Sequence, residues 1–74
     1  MEKLNVGPNI RRIRERSGMT QERLAEILGK NRTTITLWEI GNSAPRLADL
    51  PAIASALGCE IDELIHTQQE GVSA

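Results

Sequence analysis

Residues 31–41 read Asn-Arg-Thr-Thr-Ile-Thr-Leu-Trp-Glu-Ile-Gly, and this stretch predicts a short helix. Asn31 is a favourable N-cap because its side-chain oxygen can accept a hydrogen bond from a free backbone N–H of the first turn. Gly41 is a favourable stop because glycine readily adopts the left-handed conformation that follows a last helical turn. We therefore predict a helix over 31–40 that ends at Gly41.

The predicted helix has two unlike faces, since successive side chains are about 100° apart around its axis. Ile35 and Trp38 share one face, which we expect to be buried. The other face combines short hydroxyls and aliphatic side chains with a flanking cation: Arg32, Thr33, Thr36, Leu37 and Ile40. A merely solvated face would carry Glu, Lys and Gln instead. This composition suits contact with the base edges of DNA, and the alternative is an ordinary protein surface.

The composition indicates one small globular domain. The chain has 74 residues, of which 39% are hydrophobic and 26% charged, so it is near the lower size limit for a self-sufficient core. Cys59 is the only cysteine, which excludes an internal disulfide and a cysteine-rich zinc site.

No apolar run has the length of a signal peptide or a membrane span. We expect a cytoplasmic protein, associated with the nucleoid when bound to DNA, with its domain at 1–66 and a polar, flexible tail at 67–74.

The charge is divided unevenly along the chain. Residues 1–46 hold all nine cations against five acids, a net charge of +4, and residues 47–74 hold five acids and no cation, a net charge of −5. This division predicts one face that attracts polyanions and one that avoids them. Chance clustering of charges on solvated helices is the alternative.

Apolar residues at helical spacing predict four more helices. The first runs from about residue 7 or 8 to 16 or 17, the second over 21–28 after the cap Thr20, the fourth over about 47–57, and a short fifth around 61–65. Their apolar positions are Val6, Ile10 and Ile13, then Leu24, Ile27 and Leu28, then Leu47, Leu50, Ile53, Ala54 and Leu57, and finally Ile61, Leu64 and Ile65.

The junction between the second and third helices is very short. Only Gly29 and Lys30 separate the second helix from Asn31. Two helices joined by so tight a turn cannot lie antiparallel, so they must cross at a steep angle, as in a helix-turn-helix. Because every predicted element is helical, we expect an all-α fold with a core of helix packed on helix.

The chain resembles the helix-turn-helix domain of the phage repressor and Cro type, also called the xenobiotic-response-element type. The resemblance rests on Ile10-Arg11-Arg12-Ile13-Arg14, Gly18-Met19-Thr20-Gln21-Glu22-Arg23-Leu24-Ala25, Gly29, Thr33-Thr34-Ile35, Trp38-Glu39, Gly41, Pro45, Leu50, Ile53-Ala54, Ala56-Leu57-Gly58 and Ile61-Asp62-Glu63-Leu64. It covers about residues 6–65. It implies a compact five-helix, lambda-repressor-like domain of a bacterial or phage transcription regulator. It also implies that the third helix binds in the major groove of DNA.

The resemblance also implies which side chains contact bases. Arg32, Thr33 and Leu37 match the family's usual base-reading positions, and Thr36 is adjacent. Arginine can donate two hydrogen bonds to guanine O6 and N7, threonine can bond a base or offer a methyl group, and leucine can pack on a thymine methyl. The alternative makes the threonines neutral surface residues and Leu37 an isolated exposed leucine.

Phosphate contacts are expected around the edges of the groove. Gln21 matches the glutamine that, in the family, bonds a backbone phosphate and supports the third helix. Asn42 and Ser43 follow that helix directly, and Lys30 and Arg46 are the next candidates. For these last four residues, solvated side chains are the alternative.

Two further pairs of residues are assigned supporting roles. Arg14 and Glu39 match a pair that ties the first helix to the end of the third, and a charge-assisted hydrogen bond between them would lock the two helices together. Ile61 and Ile65 of the fifth helix are the expected contact of a homodimer. Family members usually bind inverted repeats as dimers, with half-sites about one helical turn of DNA apart.

We expect a sequence-specific regulator of transcription, a repressor or a small controller protein, whose partner is double-stranded DNA. No catalytic residue set, cofactor motif or metal-ligand spacing can be assembled, so we expect neither an enzyme, a cofactor nor a metal; His66 has no second ligand near it in sequence. We also expect no association with membranes. The competing hypothesis is an antitoxin-like module that neutralises a partner protein and binds DNA secondarily.

Overall fold

The computed structural model describes residues 6–66, and within that range the chain is entirely helical apart from its turns. The elements are α1 (Val6–Arg16), α2 (Gln21–Leu28), α3 (Arg32–Ile40), α4 (Leu50–Leu57) and α5 (Ile61–Ile65), and a 3₁₀ turn at Leu47–Asp49 leads into α4. The predicted all-α, five-helix fold is confirmed. The expected tail at 67–74 lies outside the described residues. None of the helices within 6–66 has the length and apolarity needed to cross a bilayer.

The core is formed by one stripe from each helix, because each amphipathic helix buries its apolar face against the others. α3 packs against both α1 and α2, α4 packs against α2, and α5 closes the other side against α1 and α4. The buried apolar residues are Val6, Ile10, Ile13, Leu24, Ala25, Ile35, Trp38, Leu50, Ile53, Ala54, Leu57 and Leu64. Trp38 is therefore a core residue, as its helix face predicted.

The turn between α2 and α3 depends on Gly29. This residue has φ 70° and ψ 31°, a left-handed conformation that costs glycine little and side-chain-bearing residues more. Its amide and that of Lys30 close the end of α2, the latter donating to the Ala25 carbonyl at 2.8 Å. The chain can therefore change direction within three residues, and α3 starts at Arg32.

Three expectations about individual residues were wrong. Asn31 has the extended backbone of an N-cap, but its side chain makes no capping hydrogen bond, and the Thr34 amide instead donates to the Asn31 backbone carbonyl at 3.0 Å. Ile27 is 43% exposed because α2 buries the side centred on Leu24 and Ala25, which leaves Ile27 at the edge of the stripe.

Leu47 was the third wrong expectation, as part of the apolar stripe of the fourth helix. It is 76% exposed. The segment begins as a 3₁₀ turn, and α4 starts only at Leu50. Leu47 thus lies before the packed part of the helix. It lines a shallow apolar groove together with Val6, Trp38 and Ile40.

Candidate nucleic-acid interface

The outward face of α3 carries the predicted base-reading residues. Arg32 and Thr33 are exposed in the first turn, and Thr36 and Leu37 are half-buried in the second. Ile40, at the end of the helix, is 65% exposed. Because Ile35 and Trp38 hold the opposite face in the core, this face has a fixed orientation relative to the rest of the domain.

A buried ion pair joins α3 to α1. The Arg14 Nε donates to Glu39 Oε2 at 2.7 Å, and its Nη2 donates to Glu39 Oε1 at 3.1 Å, in the two-pronged geometry that arginine and carboxylate favour. The remaining guanidinium nitrogen of Arg14, Nη1, donates to the Met19 carbonyl at 2.7 Å. Arg14 and Glu39 are 8% and 7% exposed. The hydrogen bond to Glu39 raises the pKa of the Arg14 guanidinium, and burial opposes this shift in pKa.

The ion pair is connected to the outward face of α3 through Gln21. The Gln21 Nε2 donates to Glu39 Oε1 at 2.9 Å, and the Gln21 Oε1 accepts from the Thr36 hydroxyl at 3.0 Å. The first residue of α2 is thus bonded to both ends of the second turn of α3. Gln21, the predicted phosphate contact, lies inside this network, and Glu39 accepts only one of its two amide hydrogens.

Gly7 brings α1 into direct contact with the backbone of α3. A Cβ atom placed on Gly7 would lie 1.9 Å from the Trp38 carbonyl oxygen and 3.0 Å from its carbon. No side chain can move aside to relieve this contact, since the opposing atoms are backbone. The C-terminal end of α3 is therefore held at a distance from α1 that only glycine permits.

The other phosphate candidates are distributed around α3. Asn42, Ser43 and Arg46 are exposed in the segment that follows α3. The amides of Asn42 and Ser43 already donate to the Leu37 carbonyl, at 2.9 and 3.3 Å, so their side chains rather than their amides remain available. Lys30 lies elsewhere: its Nζ is 4.0 Å from the Asp49 carboxylate, and its side chain is 40% exposed.

Arg32 and Gln21 line the same shallow cleft, together with Arg14, Thr20 and Glu22. The structure thus brings one base-reading candidate and one phosphate candidate to the junction of α2 and α3. Lys30 is turned toward the acidic half of the chain instead, and the Asp49 carboxylate that it approaches also accepts from the Arg46 backbone amide at 3.0 Å.

Several of the remaining arginines are paired with acids on the surface. Arg11 donates to Glu15 at 3.1 Å, Arg23 donates to Glu26 at 2.8 Å, and Arg16 lies 3.6 Å from Glu63; all three arginine side chains are more than half exposed. Exposed pairs of this kind contribute little to stability. They do offset much of the positive charge of α1 and α2.

The fifth helix holds the candidate dimer contact. Ile61 is 39% exposed, whereas Ile65 is half-buried and packs partly against the core. The two isoleucines therefore differ, and Ile61 is the more accessible. The helix begins with the Glu60 amide donating to the Glu63 carboxylate at 3.2 Å.

Asn9 ties the end of α5 to α1, a role that sequence reasoning missed. Its Nδ2 donates to the carbonyls of Leu64 and His66, both at 2.8 Å, and its Oδ1 accepts from Arg12 at 3.0 Å. The side chain is buried and fully bonded. A polar residue between the apolar positions of an amphipathic helix is one available signal for such a role, but it does not identify the partner.

Neither Cys59 nor His66 belongs to a cluster of metal ligands. Within residues 6–66, no three His, Cys, Asp or Glu side chains lie close enough together to hold a metal ion. Cys59 is half-buried, and burial raises the pKa of its thiol, with the nearby Glu63 carboxylate adding to this shift in pKa.

The arrangement of α2 and α3 agrees with the comparison to known protein families. A helix-turn-helix family model matches residues 10–64, which include α2, α3 and the turn between them. The chain belongs to the Cro/C1-type helix-turn-helix family of DNA-binding transcriptional regulators. The resemblance inferred from the sequence is thereby confirmed.

Relatives of this helix-turn-helix regulator are found in bacteria and archaea. The present chain is 35% identical over 66 residues to the HTH-type transcriptional activator BcrR of Enterococcus faecalis. The match covers 89% of this chain but only 32% of BcrR. The chain is 41% identical over 63 residues to an uncharacterised HTH-type transcriptional regulator of Methanothermobacter thermautotrophicus, covering 84% of this chain and 91% of the relative. The chain thus spans about a third of BcrR and nearly all of the archaeal protein.

The helix-turn-helix regulator is also similar to a solved repressor. The P22 c2 repressor, in complex with a synthetic operator, superposes with a TM-score of 0.77 and 28% identity, covering 90% of this chain and all of the repressor chain. The two curated relatives are described as regulators of transcription, and the P22 protein is described as a repressor.

Proposed function

We propose that this helix-turn-helix regulator binds a specific DNA sequence by placing α3 in the major groove. The observation that carries the proposal is the outward face of α3, where Arg32 and Thr33 are exposed beside half-buried Leu37. The Arg14–Glu39 ion pair and the contact at Gly7 hold the opposite side of α3 against α1. The exposed side chains are therefore free to contact base edges. In this proposal Arg32 bonds guanine and determines one base of the site.

Phosphate contacts in this proposal come from both sides of α3. The second amide hydrogen of Gln21 and the side chains of Asn42 and Ser43 face the DNA backbone, with Arg46 beyond them. Lys30 is a weaker candidate because it lies 4.0 Å from Asp49. The acidic residues of the segment 47–66 face away from the DNA, as electrostatic repulsion requires.

Selection from random duplexes tests this proposal. We expect a preferred sequence to be enriched, and we expect its affinity to fall steeply as salt is raised, because phosphate contacts release counterions. Arg32→Ala and Thr33→Ala should relax the base preference, with a cost of about 1–3 kcal/mol for Arg32→Ala. Arg11→Ala is the matched control, since Arg11 is an exposed arginine on α1 that is paired with Glu15.

Failure of this selection has a clear meaning. If no sequence is enriched while the protein co-purifies with a stoichiometric protein partner, the chain is an antitoxin-like interaction module and the proposal is overturned. If Arg11→Ala and Arg32→Ala relax the preference equally, α3 is not the base-reading element.

We further propose that the regulator binds an inverted repeat as a homodimer, with half-sites about one helical turn apart. Exposed Ile61 at the start of α5 supports this contact, and half-buried Ile65 lies beside it. Ile61→Asp should weaken self-association measured by analytical ultracentrifugation. Ile27→Asp is the matched control, because Ile27 is an isoleucine of similar exposure, 43% against 39%, on α2. Equal effects of both substitutions would place the contact elsewhere.

A further inference from the structure

The buried carboxylate of Glu39 fixes the direction of every hydrogen bond in a chain of side chains that ends on the outward face of α3. A carboxylate only accepts, so the Gln21 amide must turn its Nε2 toward Glu39, at 2.9 Å. The Gln21 Oε1 then faces Thr36 at 3.0 Å, and an amide oxygen also only accepts. The Thr36 hydroxyl must therefore be the donor.

The single hydroxyl proton of Thr36 is thus fully committed inside the protein. Its second close neighbour is the Arg32 backbone carbonyl, at 3.2 Å, which is likewise an acceptor. A hydroxyl group carries one proton, so whichever of these two oxygens holds it, none remains for a ligand. Thr36 cannot donate a hydrogen bond to a base without breaking this arrangement.

Thr33 differs from Thr36 on the same helix face. It is exposed, and its hydroxyl has no hydrogen-bond partner among the residues that the structure describes. Thr33 can therefore donate to the acceptors that guanine, adenine and thymine present in the major groove. Thr36 retains its methyl group and the two lone pairs of an oxygen that is already turned toward Gln21 and the backbone of its own helix.

We infer that Thr36 recognises the C5-methyl group of a thymine through its own methyl, beside the apolar side chain of Leu37. The inference rests on the proposed function, and it assigns different chemistry to two neighbouring threonines. The methyl is favoured over the lone pairs because the hydroxyl oxygen is held between the Gln21 Oε1, at 3.0 Å, and the Arg32 carbonyl, at 3.2 Å, which restricts its approach to a base donor. In this inference Thr36 and Leu37 make apolar contacts with bases, while Arg32 and Thr33 make the polar contacts.

The test uses the duplex enriched by selection, with each thymine of one half-site replaced in turn by deoxyuridine, which lacks only the methyl. At one position or more, we expect affinity to fall about fourfold, the value for one methyl group removed from an apolar contact. This arm uses the unaltered protein, so it does not depend on any variant folding.

Two substitutions then assign the effect to Thr36. Thr36→Ser keeps the hydroxyl and loses the methyl, so the ratio of affinities for thymine and uracil should approach one at that position. Thr36→Val keeps the methyl and loses the hydroxyl. We expect it to bind both duplexes more weakly, because the Gln21 Oε1 loses its hydrogen-bond donor, while the thymine-to-uracil ratio is retained. Thr33→Ser and Thr33→Val are the matched controls and should leave that ratio unchanged.

The outcomes separate this inference from the proposed function. If selection enriches a site but no uracil substitution weakens binding, or if Thr36→Val removes the thymine preference and Thr36→Ser keeps it, the inference is overturned and the proposed function stands. If selection enriches nothing, both fail. Melting curves of the Thr36 variants show whether any loss of affinity is a loss of folding.

Discussion

Replacing Arg14 by alanine tests the ion pair on which the position of α3 depends. The substitution removes two hydrogen bonds to Glu39, at 2.7 and 3.1 Å, and one to the Met19 carbonyl at 2.7 Å. Glu39 is only 7% exposed, so its carboxylate would remain buried with Gln21 as its one side-chain donor. Removal of one partner from a buried ion pair is costly because the other charge is left uncompensated.

The expected loss is a large share of the total stability. Breaking a buried pair in this way costs about 3–5 kcal/mol. A domain of this size has a free energy of unfolding of roughly 4–11 kcal/mol at the usual values per residue. Since 1 kcal/mol corresponds to about 4–8 °C in a small domain, the melting temperature should fall by roughly 12–40 °C.

Thermal unfolding followed by circular dichroism measures this effect, and binding to the selected duplex is measured below the melting transition. Arg11→Ala is the control, since its pair with Glu15 is exposed and worth only about 0.3–0.5 kcal/mol. We expect Arg14→Ala to lose stability and affinity together. If it weakens binding without lowering the melting temperature, the ion pair does not hold α3 in place.

A double substitution separates stability from positioning. Arg14→Met with Glu39→Leu removes both charges and replaces them with apolar groups, which commonly restores stability at a buried ion pair. Gln21 would still lose its acceptor at Glu39, and with it the fixed orientation of its amide. We expect a melting temperature near that of the parent but weaker DNA binding. Full recovery of binding would show that the orientation of Gln21 is unimportant.

Three further substitutions probe the supporting structure. Gly7→Ala should destabilise the domain by about 1–3 kcal/mol and weaken DNA binding, because the new Cβ would lie 1.9 Å from the Trp38 carbonyl; an unchanged melting curve would refute this close contact. Asn9→Ala should cost roughly 2–3 kcal/mol in urea unfolding, since two carbonyls at the end of α5 lose their donor, and a loss below about 0.5 kcal/mol would contradict that role. Burial raises the pKa of Cys59, so the stability that comes from its neutral thiol is present below the unfolded-state pKa and is lost as pH rises through the folded-state pKa. Urea midpoints measured at increasing alkaline pH should therefore decline less in Cys59→Ala than in the parent, and identical declines would refute this linkage.

Part of the site was accessible from the sequence because it depends on short-range patterns. The spacing of Ile35 and Trp38 identifies the buried face of α3 and hence its outward face. Gly29 and Gly41 mark the helix ends, since their conformations are set by neighbouring residues in the chain. The pairing of Arg14 with Glu39 was available only through the family resemblance, because 25 residues separate them.

Sequence patterns were sufficient to predict the five helices, most of their buried residues and the helix-turn-helix junction, since each depends on residues within a few positions of one another. Tertiary structure alone decided that Gly7 lies against the Trp38 backbone and that Asn9 bonds the end of α5, because these contacts join distant parts of the chain. It also decided the chemistry that Thr36 presents. A threonine in a sequence is equally a donor, an acceptor and a methyl group, and only the folded arrangement places the acceptors of Gln21 and Arg32 against its hydroxyl.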